Sequence, residues 1–327
     1  MNEKKQLRWA VLGTGVIANQ MAAALQSMGR TLDAVGNRTY DKAVAFAQKY
    51  GVKKVYRDYH EMFTDPDIDI IYLTTPHNTH MGYLEQALAR GKHVLCEKSI
   101  TLNSAELDRA VRLAEENHVV LAEAMTIYHM PLYRTLAERV ASGELGGVNL
   151  ITLNFGSFKD YNMSNRFFSR SLAGGAMLDI GVYALSLARM FLASSPDQVK
   201  SFVRKAPTGV DESAAIAMMN REGQLATATL SLHSKQPKRA VISCEKGYIE
   251  IMEYPRADEG VIVDAETGAR ETVRAGRTAD ALAYELTDME AAVRGEGGMM
   301  LPYTRDVMAL MTALREEWGV VYPEEEG

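Results

Sequence analysis

The stretch that most constrains the fold is a glycine-containing turn close to the start of the chain. An apolar run, Trp9–Leu12, leads into Gly13–Ala18, which reads Gly-Thr-Gly-Val-Ile-Ala, and a helix-forming stretch follows over Asn19–Met28. In this strand–turn–helix context a G-x-G-x-x-[GA] pattern binds a dinucleotide. Gly13 permits the tight turn, and Gly15 removes a side chain that would keep a pyrophosphate from the backbone. We therefore predict a dinucleotide-binding loop here rather than a glycine-rich turn without a ligand.

Length, charge and cysteine content limit the class of protein. The 327 residues suffice for two domains, and 47% hydrophobic with 24% charged residues is an ordinary globular mixture. A net charge of −6 argues against nucleic acid or an anionic membrane as the main partner. The first eight residues carry no apolar signal core, no stretch approaches a membrane span, and two cysteines make a disulfide framework improbable. We expect a cytoplasmic protein with a small-molecule substrate.

Short apolar strands alternate with helices in the first third of the chain, which predicts a doubly wound parallel sheet with ligands bound beyond the carboxyl ends of its strands. After the first strand, the further predicted strands are Leu32–Gly36, Val55–Tyr56, Asp69–Thr75, His93–Cys96 and Val119–Ala122. We assign residues 1–125 to an NAD(P)-binding Rossmann domain of α/β class.

The pattern changes after residue 125. Strict alternation of polar and apolar residues from Leu225 to Leu232 indicates a sheet with one buried face, and hairpin-like connections predict antiparallel or mixed pairing. The predicted strands are Val148–Phe158, Gln198–Arg204, Ser213–Met219, Leu225–His233, Ala240–Cys244 and Tyr248–Met252. The predicted helices are Pro131–Ser142, Ala176–Leu192, Ala279–Arg294 and Thr304–Trp318. Residues 126–327 are assigned to a second, α+β domain, with a C-terminal helix that could pack back on the first.

The end of the second strand bears on which nicotinamide cofactor binds. An acidic residue there accepts hydrogen bonds from the ribose hydroxyls of NAD, whereas arginine suits the 2′-phosphate of NADP. Here the sequence is Asn37-Arg38-Thr39, so we expect NADP(H) to be preferred over NAD(H). Two alternatives stay open: Arg38 could be an ordinary surface residue, and the nearby Asp41 could favour NAD, although it looks more like a helix N-cap.

Side chains able to do chemistry lie at three places. Thr74–His80 follows one predicted strand of the first domain and Cys96–Ser99 follows the next, so both should lie at the ligand crevice. In the second domain, Asp179 and Tyr183 are four residues apart in a predicted helix and should share one face. An Asp, a Tyr and a nearby Lys can together bind a hydroxyl group and move its proton.

These motifs, in this order and in both domains, resemble the Gfo/Idh/MocA oxidoreductase family. The resemblance rests on the Gly13–Gly15 loop, Thr75-Pro76 with His80, Glu97-Lys98, and Gly174-Gly175 followed by Asp179 and Tyr183. Gly181-Val182-Tyr183 is more similar to the glucose–fructose oxidoreductase and dihydrodiol dehydrogenase branch than to inositol dehydrogenases, which carry His in place of the tyrosine.

The resemblance implies a role for each matching residue. Lys98 would contact the reacting oxygen and tune the acid–base group, Glu97 would lie beside the nicotinamide, Asp179 would bind substrate, and Tyr183 would carry the proton. It also implies a large open sheet in the second domain that often forms the subunit interface, hence a homodimer or larger assembly. Ser99 replaces the usual proline of the family, which predicts a less constrained turn after Lys98.

The complete set of expected site residues follows from these motifs. The expected cofactor contacts are Gly13, Thr14, Gly15, Val16, Ile17, Asn37, Arg38, Thr39, Thr75, Pro76, His77, His80, Glu97 and Lys98. The expected substrate contacts are Lys98, Arg166, Asp179 and Tyr183, although Arg166 could equally be a salt-bridging surface residue. No metal is expected, because no third ligand accompanies the His-x-x-His spacing of His77 and His80.

The sequence thus predicts hydride transfer between a nicotinamide and a sugar, polyol or related hydroxy-carbonyl compound, with Tyr183 and Lys98 as the acid–base pair and Asp179 orienting the substrate. Two alternatives remain: an NAD-dependent glycosidase of the same fold that uses transient oxidation, and a non-catalytic regulator that responds to nucleotide binding.

Overall fold

The computed structural model describes residues 6–326, which divide into two compact units. The first unit comprises the chain up to Thr101 together with Ala105–Ala124 and Leu282–Leu301. The second comprises Leu102–Ser104, Met125–Ala281 and the chain from Pro302 onward. Residues 1–5, on which the expectation of a missing signal segment partly rests, lie outside the described residues.

Within the described chain, the first unit is built on six parallel strands in the order β3-β2-β1-β4-β5-β6, the order of a doubly wound dinucleotide fold. The strands are β1 Trp9–Leu12, β2 Ala34–Gly36, β3 Lys54–Tyr56, β4 Ile70–Leu73, β5 His93–Glu97 and β6 Leu121–Ala124. The helices are α1 Val16–Ser27, α2 Tyr40–Tyr50, α3 Tyr59–Thr64, α4 His80–Leu88 and α5 Ser104–Glu116. Every residue of β1 and β4 is buried, as expected for a parallel sheet covered on both faces. The predicted fold class is confirmed.

A helix from late in the chain completes the core of the first unit. Leu282, Leu286 and Met289, all on α8 (Ala281–Val293), pack into the same apolar cluster as β1. The Trp9 indole N–H donates a 2.8 Å hydrogen bond to Glu290 of this helix. By its contacts α8 therefore belongs to the first unit, although it follows the second unit's sheet in sequence.

Within the described residues, the second unit holds an eight-stranded sheet in the order β14-β13-β12-β11-β7-β10-β9-β8, with only β7 and β10 parallel. Its strands are β7 Val148–Gly156, β8 Gln198–Lys205, β9 Asp211–Met219, β10 Leu225–Ser231, β11 Gln236–Cys244, β12 Gly247–Met252, β13 Glu259–Asp264 and β14 Arg270–Arg274. Its helices are α6 Pro131–Ala141, α7 Val182–Phe191 and α9 Leu301–Trp318, and a π-helical turn, Met177–Gly181, leads into α7. The mostly antiparallel sheet of the prediction is confirmed.

One stretch of the second unit is apolar enough to cross a membrane by length and composition alone. Arg170–Phe191 has 22 residues and a mean hydropathy of 1.4, contrary to the expectation that no stretch approaches a membrane span. Its most apolar window is 78% buried inside the fold. The apolar composition of this stretch is therefore explained by its burial in the core around α7.

Candidate active site

The glycine loop of the first unit has the geometry of an anion site. Gly13 has φ +113°, its N–H donates to the Gly36 carbonyl at 2.8 Å, and a Cβ placed on it would lie 2.4 Å from Thr74 Oγ1. A Cβ on Gly15 would meet no described atom within 4 Å, so the space in front of α1 is open. No side chain of the described chain caps α1, which leaves its first N–H groups available for a phosphate. The loop therefore fits a dinucleotide pyrophosphate.

The other predicted residues of this loop differ in exposure. Val16 is 75% exposed at the start of α1, whereas Ile17 packs against the apolar core. The Thr14 carbonyl accepts a 3.2 Å hydrogen bond from the Asn19 amide, which also donates to the Gly15 carbonyl at 2.8 Å. Thr14 and Gly15 are thus held through their backbones, and the exposed Val16 borders the open space.

At the end of β2, the Asn37 amide donates to the Thr39 carbonyl at 2.9 Å, and Arg38 and Thr39 are exposed. Thr39 is the N-cap of α2, so the interpretation of Asp41 as the cap is wrong; Asp41 lies in the first turn. The exposed Arg57, just after the neighbouring strand β3, stacks on the ring of Tyr40 at 3.9 Å. Cationic side chains thus follow two adjacent strands where the adenosine ribose of a bound cofactor would lie.

His80 is fully buried, and its ring nitrogens face backbone carbonyls of two different turns. Nε2 lies 2.8 Å from the Thr75 oxygen, and Nδ1 lies 3.1 Å from the Ser99 oxygen and 3.2 Å from that of Ile100. Burial lowers the pKa of this imidazole. Because both nitrogens are engaged inside the fold, His80 joins the turn after β4 to the turn after β5, in contrast to the cofactor contact expected from the sequence.

Lys98 follows β5 in a turn that several side chains hold. His77 Nε2 lies 3.0 Å from the Lys98 carbonyl oxygen, and the Ile100 N–H donates to the buried Glu123 carboxylate at 3.1 Å. The Lys98–Ser99 peptide bond is cis, and Ser99 is fully buried. The turn is thus held by hydrogen bonds from neighbouring elements, and serine occupies the position where the family has proline.

The remaining predicted residues of this region flank the Lys98 turn. Glu97, the last residue of β5, accepts a hydrogen bond from the Tyr72 hydroxyl, which orients its carboxylate. Thr75 accepts a 2.9 Å hydrogen bond from the Thr79 hydroxyl, and Pro76 is exposed at the start of the following helical turn. Among residues 6–326, no group of three or more potential ligands could hold a metal ion.

In the second unit, Asp179 lies on the π-helical turn and Tyr183 in the first turn of α7. Arg166 Nη2 lies 3.6 Å from Asp179 Oδ1, and its guanidinium stacks on Phe167 at 4.0 Å. The Asp179 side chain is 13% exposed and that of Arg166 59%. The structure therefore pairs two of the residues expected to bind substrate, with the arginine on the solvent side.

Tyr183 also lines a cavity of about 490 Å³ within the second unit. Its ring lies 6.0 Å from that of Phe155. Lys238 forms a 2.7 Å ion pair with Glu253, and its ammonium lies 5.5 Å from the centre of the Phe155 ring. The other polar residues of the lining are Glu250, Arg256, Asp258, Glu259 and Thr278. Sequence reasoning missed these residues because they lie on β11, after β12 and after β14, and only the folded sheet brings these segments to Tyr183.

The glycine loop on a doubly wound sheet defines a dinucleotide-binding protein. A family model described as an oxidoreductase family with an NAD-binding Rossmann fold matches residues 7–125, and a model for the GFO/IDH/MocA C-terminal domain matches residues 133–250. The chain belongs to the Gfo/Idh/MocA oxidoreductase family, as the motifs predicted.

Similar proteins include trans-1,2-dihydrobenzene-1,2-diol dehydrogenases. The mouse (Mus musculus) protein is 32% identical over 260 residues, 78% of each chain, and the human protein is 31% identical over 250 residues, 75% of this chain and 74% of its own. Levoglucosan dehydrogenase has the same fold, with a TM-score of 0.86 and 17% identity over 98% of this chain and all of that one. A 3-ketoreductase from Actinomadura kijaniata, solved with NADP and TDP-benzene, has a TM-score of 0.84 and 21% identity over 95% of this chain and 98% of its own.

Proposed function

We propose that the chain is an NADP(H)-preferring dehydrogenase or reductase that acts on a sugar, a polyol or a related hydroxy-carbonyl compound. The observation that carries this proposal is Tyr183 at the wall of a cavity, one helical turn after the half-buried Asp179. Asp179 is not itself a lining residue of this cavity, but with the Tyr183 phenol one turn later and the aromatic wall it provides groups that suit a substrate with neighbouring hydroxyl groups on a carbon frame. Diol and sugar dehydrogenases among the similar proteins support the same substrate class.

When bound, the nicotinamide supplies the acceptor or donor of hydride. In the oxidative direction Tyr183 accepts the hydroxyl proton, and the hydrogen on the carbon that bears this hydroxyl group would leave as hydride to the bound nicotinamide, so that a carbonyl group remains. The Lys98 ammonium stabilises the phenolate form of Tyr183 and the oxygen of the substrate, and Asp179 accepts hydrogen bonds from a hydroxyl group and orients the ring. In the reductive direction Tyr183 returns the proton to the carbonyl oxygen.

Two measurements test this proposal. NADPH and NADH are titrated against the protein by fluorescence, and a panel of sugars, cyclic diols and dicarbonyls is then followed by nicotinamide absorbance. We expect NADPH to bind more tightly and at least one polyhydroxy or dicarbonyl substrate to change the absorbance stoichiometrically. Tight cofactor binding with glycoside cleavage and no net absorbance change would instead favour the glycosidase.

Arg38 is expected to carry the NADPH preference. Arg38→Ala removes charge-assisted hydrogen bonds to the 2′-phosphate, so the Kd for NADPH should rise by about 10- to 100-fold while that for NADH stays unchanged. Lys42→Ala, an exposed cation on α2, is the matched control and should alter neither affinity. An equal weakening of both cofactors in the Arg38 variant would contradict this role.

We also propose that the sheet of the second unit forms the contact between copies of the chain. The Trp318 indole N–H donates to Ser201 Oγ at 2.8 Å, so α9 covers the Ser201 side of β8 and the neighbouring Phe202 points to the opposite side, where it is 84% exposed. Val241 alternates with the buried Ala240 and Ile242 on β11, so its side chain lies on the same open side of the sheet as that of Phe202. The exposed Ala215 and Ala217 of β9 lie between them on this side of the sheet, and exposed apolar residues that share one open face are typical of interaction surfaces.

Sedimentation of the protein should therefore reveal a dimer or larger assembly. Phe202→Glu combined with Val241→Glu should shift it to a monomer, because like charges would face each other in a symmetric contact. Val321→Glu, at another exposed apolar residue, is the control. A wild-type monomer at all concentrations, or an assembly unaffected by the double substitution, would contradict the proposal.

A further inference from the structure

A buried carboxylate lies directly at the start of the turn that carries Asp179 and Tyr183. Asp211, the first residue of β9, is fully buried, and its Oδ2 accepts a 2.6 Å hydrogen bond from the Met177 N–H. Met177 begins the π-helical turn, and no side chain of the described residues caps that turn from within its own segment. The Asp211 carboxylate therefore fixes the first N–H group of the helix from a different strand.

The same carboxylate explains the glycine that precedes this helix. Gly175 has φ +127°, and a Cβ at this position would lie 2.3 Å from Asp211 Oδ1. Within the described residues, Oδ1 makes no hydrogen bond. The carboxylate thus occupies the space that a side chain at residue 175 would need, and the close approach of strand and turn depends on both residues.

The charged and titratable groups around Asp211 come from α9 and the C-terminal segment. Arg315, buried on α9, attracts the carboxylate but is itself paired with Glu325 at 2.9 Å. Tyr322, fully buried, donates to the Gly174 carbonyl at 2.7 Å and holds the other side of the same turn. Burial outweighs these favourable contacts and raises the pKa of Asp211 to about 7.

We propose that Asp211 is a positioning residue for the reaction: through the Met177 N–H it sets the placement of the turn that presents Asp179 and Tyr183 to the substrate. This inference rests on the proposed function, which assigns those two side chains their roles. Because the carboxylate is fully buried and its Oδ2 lies 2.6 Å from the Met177 nitrogen, this hydrogen bond holds one geometry of the turn.

A graded pair of variants tests the proposal. In assays at pH 8.5, where Asp211 is ionised, Asp211→Asn keeps an oxygen that can accept from Met177 but removes the charge, and charge-assisted hydrogen bonds are roughly twice as strong as neutral ones. We expect kcat to fall about 3- to 10-fold for Asn and at least about 30-fold for Ala, without a change in NADPH affinity, because the cofactor loop lies in the first unit. Glu212→Gln is the matched control, since this neighbouring buried carboxylate contacts Arg204 and Tyr161 instead of the turn, and its kcat should stay unchanged.

Wild-type kcat in the Asn and Ala variants would overturn the proposal, as would an equal loss of kcat and of NADPH binding. Circular dichroism shows whether the Asp211→Ala variant folds. If it does not fold, the kcat and the NADPH affinity of the Asp211→Asn variant test the proposal by themselves. Tyr183→Phe is measured in parallel. If it retains turnover, the proposed function fails; if it loses turnover while both Asp211 variants keep theirs, only the present inference fails.

Discussion

Replacing Tyr183 by phenylalanine is expected to lower kcat by at least about 100-fold and to leave NADPH affinity unchanged, because general acid–base groups contribute about 10²- to 10⁴-fold to rate. Phenylalanine keeps the ring that packs 6.0 Å from Phe155 and removes only the hydroxyl group. Lys98→Met, which removes the ammonium but keeps much of the side-chain length, should produce a loss of similar size. Steady-state kinetics with the best substrate of the panel, together with fluorescence titration of NADPH, measures both quantities.

The control for this pair is Tyr248→Phe, a half-buried tyrosine of β12 outside the cavity lining, which should leave kcat unchanged. Wild-type turnover in either Tyr183→Phe or Lys98→Met would refute the acid–base assignment. A loss of NADPH binding in the tyrosine variant would instead indicate a structural role for the hydroxyl group.

The glycine loop allows a second comparison, because replacing Gly13 should lower stability whereas replacing Gly15 should lower cofactor affinity. Gly13→Ala forces a side chain into φ +113° with its Cβ 2.4 Å from Thr74 Oγ1, so the melting temperature should fall, with a loss of roughly 1–3 kcal/mol in the free energy of unfolding. Gly15→Val meets open space at φ −75°, so the fold should tolerate it. The valine side chain would nevertheless stand where the pyrophosphate must approach, and NADPH affinity should fall by at least about 100-fold.

Thermal denaturation without cofactor and fluorescence titration separate the two effects. Gly82→Ala, at a helical glycine of α4 with open space around it, is the control for glycine replacement itself and should show neither effect. If Gly15→Val bound NADPH as tightly as the wild type, the loop would not be the phosphate site.

The parts of the fold that the sequence predicted are those with strong local signals. β1 is apolar throughout because both faces of the parallel sheet are covered, so its bounds could be read directly. β13 and β14 were missed: β14 is a short edge strand with exposed charges such as Arg270 and Arg274, and such composition lacks the alternation of a half-buried strand. The six-residue helix α3 was missed because so short a segment has no clear period.

The candidate site also contains residues that the sequence predicted and residues that it could not predict. Residues that belong to contiguous motifs, such as Lys98 or Asp179 with Tyr183, could be predicted from their place after a strand or on one helix face and from the resemblance to the family. The side chains that hold those motifs in place through hydrogen bonds could not be predicted from the sequence. Asp211 lies 34 residues from Met177, and Glu123 lies 23 residues from Ile100. Glu123 reaches its partner through the pairing of β6 with β5, and Asp211 reaches its partner because the π-helical turn packs against the start of β9. Buried carboxylates that accept backbone N–H groups therefore need the fold before they can be recognised.

Transfer of a label tests the central claim most directly, namely that hydride passes between nicotinamide C4 and a substrate carbon while Tyr183 handles the proton. NADPH carrying deuterium at the transferable C4 position is incubated with the carbonyl form of the best substrate, and the product is analysed by mass spectrometry. We expect one deuterium on the new carbinol carbon, with the rate of its appearance strongly reduced in Tyr183→Phe. A product without deuterium, or label transfer unaffected by that substitution, would contradict the account.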